Sequence, residues 1–393
     1  MMTPMAAVAH EEASAQSKVK DRAGPTAKPV EALPAYYPAL DGLRAFSVLF
    51  VVFEHINALP TPMRHFHGYL GVDIFFVLSG FLITGLLLRE ERLTGKVDLA
   101  GFYIRRAFRI LPLYWLVLAS YVVMLQPASK IEKWTQMKAA LPYFLTFNND
   151  IPLILMPDRV GTVFGLSWTL GIEEKFYFCW PLICFFLLGT LRKRFFAGWA
   201  LYGSVVALAF FSFRMGRSYS GLIVGAILAM LFSNEQTLCR LKHLVSRIPG
   251  IVVVALIAIG FWLVDVDERA VFVFSWIIGL TVASVLLKNS WLSRLLSVRW
   301  IVWFGKRSYA MYLIQGFAIE FLLLFYRPAG WKGEIGFAVG AFLVASVGAA
   351  MLHRFLEEPA RRIGKRIVAR REQRRKPIVI ERPAMPVLEA QAE

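Results

Sequence analysis

Long apolar runs separated by short polar or basic connections set the rhythm of this chain. The runs lie at roughly 42–60, 70–88, 110–126, 166–189, 195–213, 216–233, 248–265, 269–287, 307–326 and 334–355. About 20 apolar residues in an α-helix, at ~1.5 Å per residue, cross the ~30 Å hydrocarbon core of a bilayer. Lipid offers the backbone no partners, so such runs must be helical. The pattern predicts an all-α polytopic membrane protein with about ten transmembrane helices. An eleventh stretch, 141–156, is interrupted by Pro142, Asn148, Asn149, Asp150 and Pro152. It is not expected to cross, and 127–165 becomes a long outer region, re-entrant or lying on the surface.

Charge then orients the helices. Lys and Arg concentrate on the cytoplasmic side of membrane proteins. The connection 89–109 carries Arg89, Arg92, Lys96, Arg105, Arg106 and Arg109, and 190–194 carries Arg192, Lys193 and Arg194. Segments 234–247 and 288–307 are basic as well. With ten crossings all of these fall on one side and the acidic turn Asp265-Val-Asp267-Glu268 on the other. Both termini are then cytoplasmic. An eleventh span would flip every later loop.

At 393 residues, 57% hydrophobic and only 18% charged, the composition excludes an ordinary soluble enzyme. The net charge of +17 could suggest nucleic acid, but about half of the excess sits between Arg361 and Lys376, where Glu372 is the one acid. A basic run following a membrane helix reads as an anchor against anionic lipid, not as a nucleic-acid site. Residues 1–35 lack an apolar core of signal-peptide length and read as a disordered cytoplasmic tail. The expected division is that tail, a membrane domain over 36–362, and a basic, largely disordered cytoplasmic tail over 363–393. Cys179, Cys184 and Cys239 make neither a disulfide frame nor a metal site.

Ionisable groups inside hydrocarbon are costly and face partners or polar cavities. The first span carries Arg44 at its inner end and His55 eleven positions further out, ~16 Å along a helix. Asp73 opens the second span from outside, and Glu173 and Glu174 lie in the first two turns of the fourth. His55 with Glu173 or Asp73 is the pairing that suits general acid-base chemistry, with the carboxylate orienting the ring. The competing reading is a polar cluster that holds helices together. Glu54 points to another face of the first helix, and His65 and His67 read as solvated loop residues. Arg106 and Arg109 share a helix face, an arrangement that suits phosphate, although on sequence logic alone plain cytoplasmic anchoring is the favoured reading. Ser79-Gly80 reads as a close-packing element rather than a nucleophile.

The motif series is more specific than any of these features. Leu40-Asp-Gly-Leu-Arg44 with His55 is followed by Gly71-Val-Asp-Ile-Phe-Phe-Val-Leu-Ser-Gly-Phe-Leu-Ile-Thr84. Then come Phe102-Tyr-Ile-Arg-Arg-Ala-Phe-Arg-Ile-Leu-Pro-Leu-Tyr114, Ser167-Trp-Thr-Leu-Gly-Ile-Glu-Glu-Lys-Phe-Tyr177 and Phe355-Leu-Glu-Glu-Pro359. In order and content, over roughly 36–362, these resemble the acyltransferase 3 family of integral membrane acyltransferases. The resemblance implies transfer of an acyl group, most often acetyl, from acetyl-CoA or another acyl-CoA to a hydroxyl of a surface or exported carbohydrate, such as an exopolysaccharide. It implies a bacterial inner (cytoplasmic) membrane location. It matches His55 to the essential histidine, Arg106 and Arg109 to the arginine pair that would engage the donor, Glu173 and Glu174 to an acidic motif, and Arg44 and Asp73 to further motif positions.

Two departures stand out. Ser308-Tyr-Ala-Met-Tyr-Leu-Ile is followed by Gln315, where the family often has histidine. Many members also carry a fused extracytoplasmic SGNH hydrolase-like domain, whereas this sequence closes on a basic tail, so transfer is expected without that module or with a separate partner. The resemblance leaves open direct transfer against an acyl-histidine intermediate. The rival class is a transporter or flippase of a polar or lipid-linked solute, which intramembrane charges also suit. Charged positions crowd into the N-terminal half and no inverted repeat is visible, which disfavours it.

Overall fold

The computed structural model describes residues 36–55, 67–125, 131–152, 163–211 and 213–375. His65, the end of the first expected span at 56–60, the tail 1–35 and residues 376–393 lie outside them. Among the described residues there are helices and no strands. In order they are α1 (Pro38–His55), α2 (Leu70–Thr94), α3 (Leu99–Leu125), α4 (Ile131–Leu145), α5 (Trp168–Leu182), α6 (Leu191–Phe211), α7 (Phe213–Ser233) and α8 (Glu235–Ser246). They continue as α9 (Gly250–Val266), α10 (Val271–Leu287), α11 (Trp291–Leu296), α12 (Arg299–Lys306), α13 (Ser308–Leu323), α14 (Gly330–Leu352) and α15 (Glu358–Arg375).

Four helical stretches are long and apolar enough to cross a bilayer: Leu70–Thr94, Leu99–Leu125, Glu268–Leu287 and Lys332–Arg374. A fifth results if Arg217–Ser233 and Glu235–Ser246, bent by 108°, count as one. Gly250–Val266 and Ser308–Leu323 are apolar but shorter. Helix α1 is outside this group because its 18 residues include Asp41, Arg44 and Glu54. Large apolar side chains cover the exterior: Phe186 is 76%, Trp300 73% and Leu324 78% exposed. Such an outside is stable only against lipid, and the chain is a multi-pass membrane protein.

Two features extend the sequence reading. Leu99–Ile110, which precedes the expected span 110–126, is continuous with it in the 27-residue α3. Pro112 removes one backbone donor without ending the helix. At ~1.5 Å per residue α3 is ~40 Å long, so its N-terminal turns overhang a ~30 Å core. Arg105, Arg106 and Arg109 lie near that boundary. Residues 363–375, expected within a disordered tail, form most of α15. Ala360, Gly364 and Val368, four apart, make a narrow buried stripe, and Gly364 sits on Phe108 of α3. Arg371 reaches Asp98 at 3.4 Å. The Lys332–Arg374 helix is 43 residues long, ~65 Å, and overshoots any bilayer.

The interior is built on a close crossing of α2 and α7. A Cβ on Gly80 would meet the Leu222 carbonyl oxygen at 1.9 Å, and one on Gly225 the Val77 oxygen at 2.1 Å. Only glycine lets these backbones touch, the usual packing device where lipid removes the hydrophobic drive. The stretch 141–156 is broken, as expected: α4 ends at Leu145, and Phe147 adopts φ 56°. The following turn is drawn inward. Asn149, 0% exposed, donates to Tyr114 Oη at 2.9 Å and to Ser167 Oγ at 2.7 Å. Asp150 receives Lys175 of α5 at 2.5 Å.

Polar contacts between connections follow one rule. Arg194 pairs with Glu91 at 2.5 and 2.7 Å, Arg92 donates to the Ser233 carbonyl at 2.9 Å, and Lys288 donates to the Ser246 and Ile248 carbonyls at 3.1 and 3.0 Å. His67 meets Asp265 at 2.7 Å, and Lys133 lies 3.7 Å from Glu320. The first group joins segments assigned to the inner side by charge; His67–Asp265 joins two outer connections, and Lys133 of the outer region meets Glu320 in the outer half of the expected span 307–326. His67, expected to be solvated, is therefore paired.

Candidate functional site

Five helices line one cavity, four of them with a helical stripe and α1 with one residue. Helix α1 supplies Arg44, and α2 supplies Val72, Phe75, Phe76 and Ser79. Helix α3 contributes Arg106, Arg109 and Ile110, α5 Thr169, Leu170, Glu173 and Tyr177, and α13 Ser308, Tyr309 and Tyr312. Spacings of three and four put each set on one helix face. The empty space is about 670 Å³, its open mouth included.

Arg44, Arg106 and Arg109 thus converge from two helices, as does Glu173 from a third. Arg44 is 3.6 Å from Asp41. Arg106 packs its guanidinium over the Tyr177 ring at 4.5 Å and the Phe102 ring at 5.9 Å. Among the described residues, neither Arg106 nor Arg109 has an ion-pair or hydrogen-bond partner. Glu173 Oε1 accepts from Ser79 Oγ at 2.8 Å. Three cations against one cavity carboxylate leave positive charge in a partly enclosed space, which is costly without an anion. Ser79 therefore does more than permit close packing: it fixes the orientation of Glu173.

The far wall is held by hydroxyls. Thr169 Oγ1 donates to Tyr312 Oη at 2.7 Å, and Tyr312 Oη donates to the Leu166 carbonyl. Tyr309 Oη donates to the Ile110 carbonyl at 2.9 Å. These residues were quoted as motif positions but given no role from sequence, because a hydroxyl in an apolar run carries no periodic signal.

His55 is not part of the cavity lining. Eleven residues separate it from Arg44, so at 100° per residue the two share a face of α1, with Val48 and Val51 between them. Its Nδ1 lies 2.7 Å from the Val51 carbonyl oxygen. A carbonyl only accepts, so this bond requires the proton on Nδ1, and the neutral ring keeps its Nε2 lone pair free. The backbone, not a carboxylate, sets the ring. Glu54 points elsewhere and accepts from the Gly68 N–H at 2.9 Å.

The two candidate orienting carboxylates have other partners. Asp73, 3% exposed, is 3.5 Å from Arg217 of α7, whose guanidinium stacks on Tyr69 at 4.3 Å. Glu173 is committed to Ser79 and the arginine end. Arg217 was missed in the sequence, where it reads as one more positive charge near a helix start. Glu174 Oε1 is buried without a partner. Among the described residues no group of three or more metal-ligating side chains could hold an ion.

Comparison with known proteins gives this geometry a setting. The acyltransferase-domain profile of the acyltransferase 3 family matches residues 37–354. A Staphylococcus aureus (strain COL) protein whose O-acetyltransferase name is itself provisional is 30% identical over 362 residues, 84% of this chain and 58% of its own length. The O-acetyltransferase OatA of Staphylococcus aureus (strain NCTC 8325 / PS 47) is 29% identical over the same coverage. The chain spans little more than half the length of these relatives. No solved structure matches. The chain belongs to the acyltransferase 3 family.

Proposed function

We propose, from that membership, that the protein is a membrane O-acetyltransferase that takes an acetyl group from acetyl-CoA, offered at the cytoplasmic face, and gives it to a hydroxyl of a surface or exported carbohydrate. The observation that carries this reading is the pair of cavity-lining guanidiniums, Arg106 and Arg109, which have no ion-pair or hydrogen-bond partner among the described residues. The phosphates of coenzyme A are the anion that would complete them, through charge-assisted and forked hydrogen bonds. Arg44 adds a third cation at the same end, and Glu173 is held in place there by its bond to Ser79. The O-acetyltransferase names of the relatives support the same reaction.

In this reading the thioester reaches outward along the shared face of α1 towards His55. The Nε2 lone pair, left free by the Nδ1–H bond to Val51, accepts the proton of the acceptor hydroxyl. The hydroxyl oxygen attacks the thioester carbonyl, the C–S bond breaks, and the imidazolium returns the proton to the departing thiolate. Asp73 with Arg217 braces α2 against α7 and takes no proton. The ten-span arrangement with both termini in the cytoplasm belongs to this proposal. It is supported by the agreement between the polar contacts and the charge-based sides. The bacterial inner membrane is the expected location.

Sidedness tests the proposal. Proteoliposomes of uniform orientation, given acetyl-CoA from one side at a time, should release free thiol only when the donor meets the side bearing α15. Equal thiol release from both sides, or saturable movement of a glycan without thiol release, would contradict it and favour a transporter.

A further inference from the structure

Among the described side chains, Gln315 alone is buried with two polar atoms unpartnered. It is 0% exposed, and neither its Nε2 nor its Oε1 has a hydrogen-bond partner. Its neighbours on α13, Met311, Leu313, Ile314 and Ala318, are buried and apolar. A buried amide group without a partner is costly, and an apolar side chain of equal shape would avoid that cost.

Its position gives a reason. Ser308 and Tyr312 line the cavity, and Gln315, three residues past Tyr312, continues the same face of α13 ~4.5 Å further on. The imidazole of His55 is close enough to interact with the amide, though no bond between them meets hydrogen-bond geometry. The amide therefore stands where the arginine-lined cavity would continue to the general base. An amide offers a donor and an acceptor side by side, and so do two adjacent hydroxyls of a sugar.

We infer that Gln315 recognises the acceptor: it hydrogen-bonds a sugar hydroxyl adjacent to the one that His55 deprotonates, and so selects the position acylated. This rests on the acetyl-transfer reading above. A site built to bond a hydroxyl discriminates strongly against an analogue lacking it, because its own buried groups are then left unpaired.

The test uses the full chain in proteoliposomes with acetyl-CoA and p-nitrophenyl glycosides of glucose, galactose and N-acetylglucosamine as acceptor probes. The acetylated position is located, and the deoxy analogue lacking the adjacent hydroxyl is assayed alongside. Wild type should prefer the parent glycoside at least tenfold in kcat/KM. Gln315→Met, of nearly the same shape, should raise the acceptor KM tenfold or more, erase the preference over the deoxy analogue, leave the KM for acetyl-CoA within twofold, and not lower the thermal midpoint. An unchanged acceptor KM in Gln315→Met, or an equal rise in both KM values, would overturn the inference while the acetyl-transfer reading stands. A wild type that acetylates none of the glycosides would overturn both.

Discussion

Replacing Arg106 by Met separates a ligand-binding arginine from a structural one. Methionine keeps an apolar stem of similar reach and deletes the guanidinium. The structural loss is the contact with the rings of Tyr177 and Phe102, worth ~0.5–2 kcal/mol. It is offset by removing one of three like charges around the cavity. Global stability should therefore change by less than about 2 kcal/mol. Loss of a forked bond to phosphate removes charge-assisted hydrogen bonds of ~1.5–3 kcal/mol each, partly made good by Arg109. A net ~2–3 kcal/mol corresponds to a roughly 30- to 150-fold weaker donor. Titration of acetyl-CoA against purified protein, with the thermal midpoint measured in parallel, reads both quantities. Acetyl-dephospho-CoA should bind wild type more weakly and narrow the gap to the variant. An unchanged donor affinity with a sharply reduced midpoint would refute the reasoning and return Arg106 to a packing role.

Asp73→Asn should destabilise the protein, because it leaves Arg217 facing a neutral amide in a buried contact. Asp73→Asn with Arg217→Gln should recover much of both stability and turnover, whereas an orienting role for Asp73 would leave the double variant inactive. Gly80→Ala should cost at least ~1–3 kcal/mol, since the added methyl meets the Leu222 backbone at 1.9 Å and not a movable side chain; chemical denaturation reads this, and a neutral result contradicts the α2–α7 crossing. Glu91→Gln should cost ~1–2 kcal/mol, less than a fully buried pair, because the Glu91 side chain is 35% exposed and Arg194 keeps its bonds to the Cys184 and Leu188 carbonyls.

The helical layout was legible because lipid enforces a simple code: each of the ten apolar runs, as far as it is described, lies mostly on helix, with turn or loop only at run ends such as 188–189, 248–249 and 324–326. Arg44, Arg106, Arg109 and Glu173 were each legible as candidates because charge in an apolar run is rare, but the sequence paired Glu173 with His55, whereas the cavity lining sets it with the arginines. The partners of two other candidates were not legible. The ring of His55 is held by a backbone carbonyl four residues back, a contact that leaves no mark on residue type. The partner of Asp73 lies 144 positions away on α7, where its charge merges with the general basic excess. Helix α15 was hidden by its charge: a stripe of Ala360, Gly364 and Val368 is too small to stand out among arginines, yet it packs against Phe108. Gln315 was visible only as a departure from a motif, and its two unpartnered amide atoms give that departure a physical meaning.

The account stands or falls on acetyl transfer through His55. With acetyl-labelled acetyl-CoA and a glycoside acceptor, the measurement is label appearing on the acceptor alongside an equal amount of free thiol, in wild type and in His55→Ala. Wild type should give matched release and labelling. His55→Ala, with an unchanged fold and donor affinity, should lose transfer by ~10²–10⁴-fold, the range for general acid-base groups. Near-normal labelling by His55→Ala would contradict the central claim.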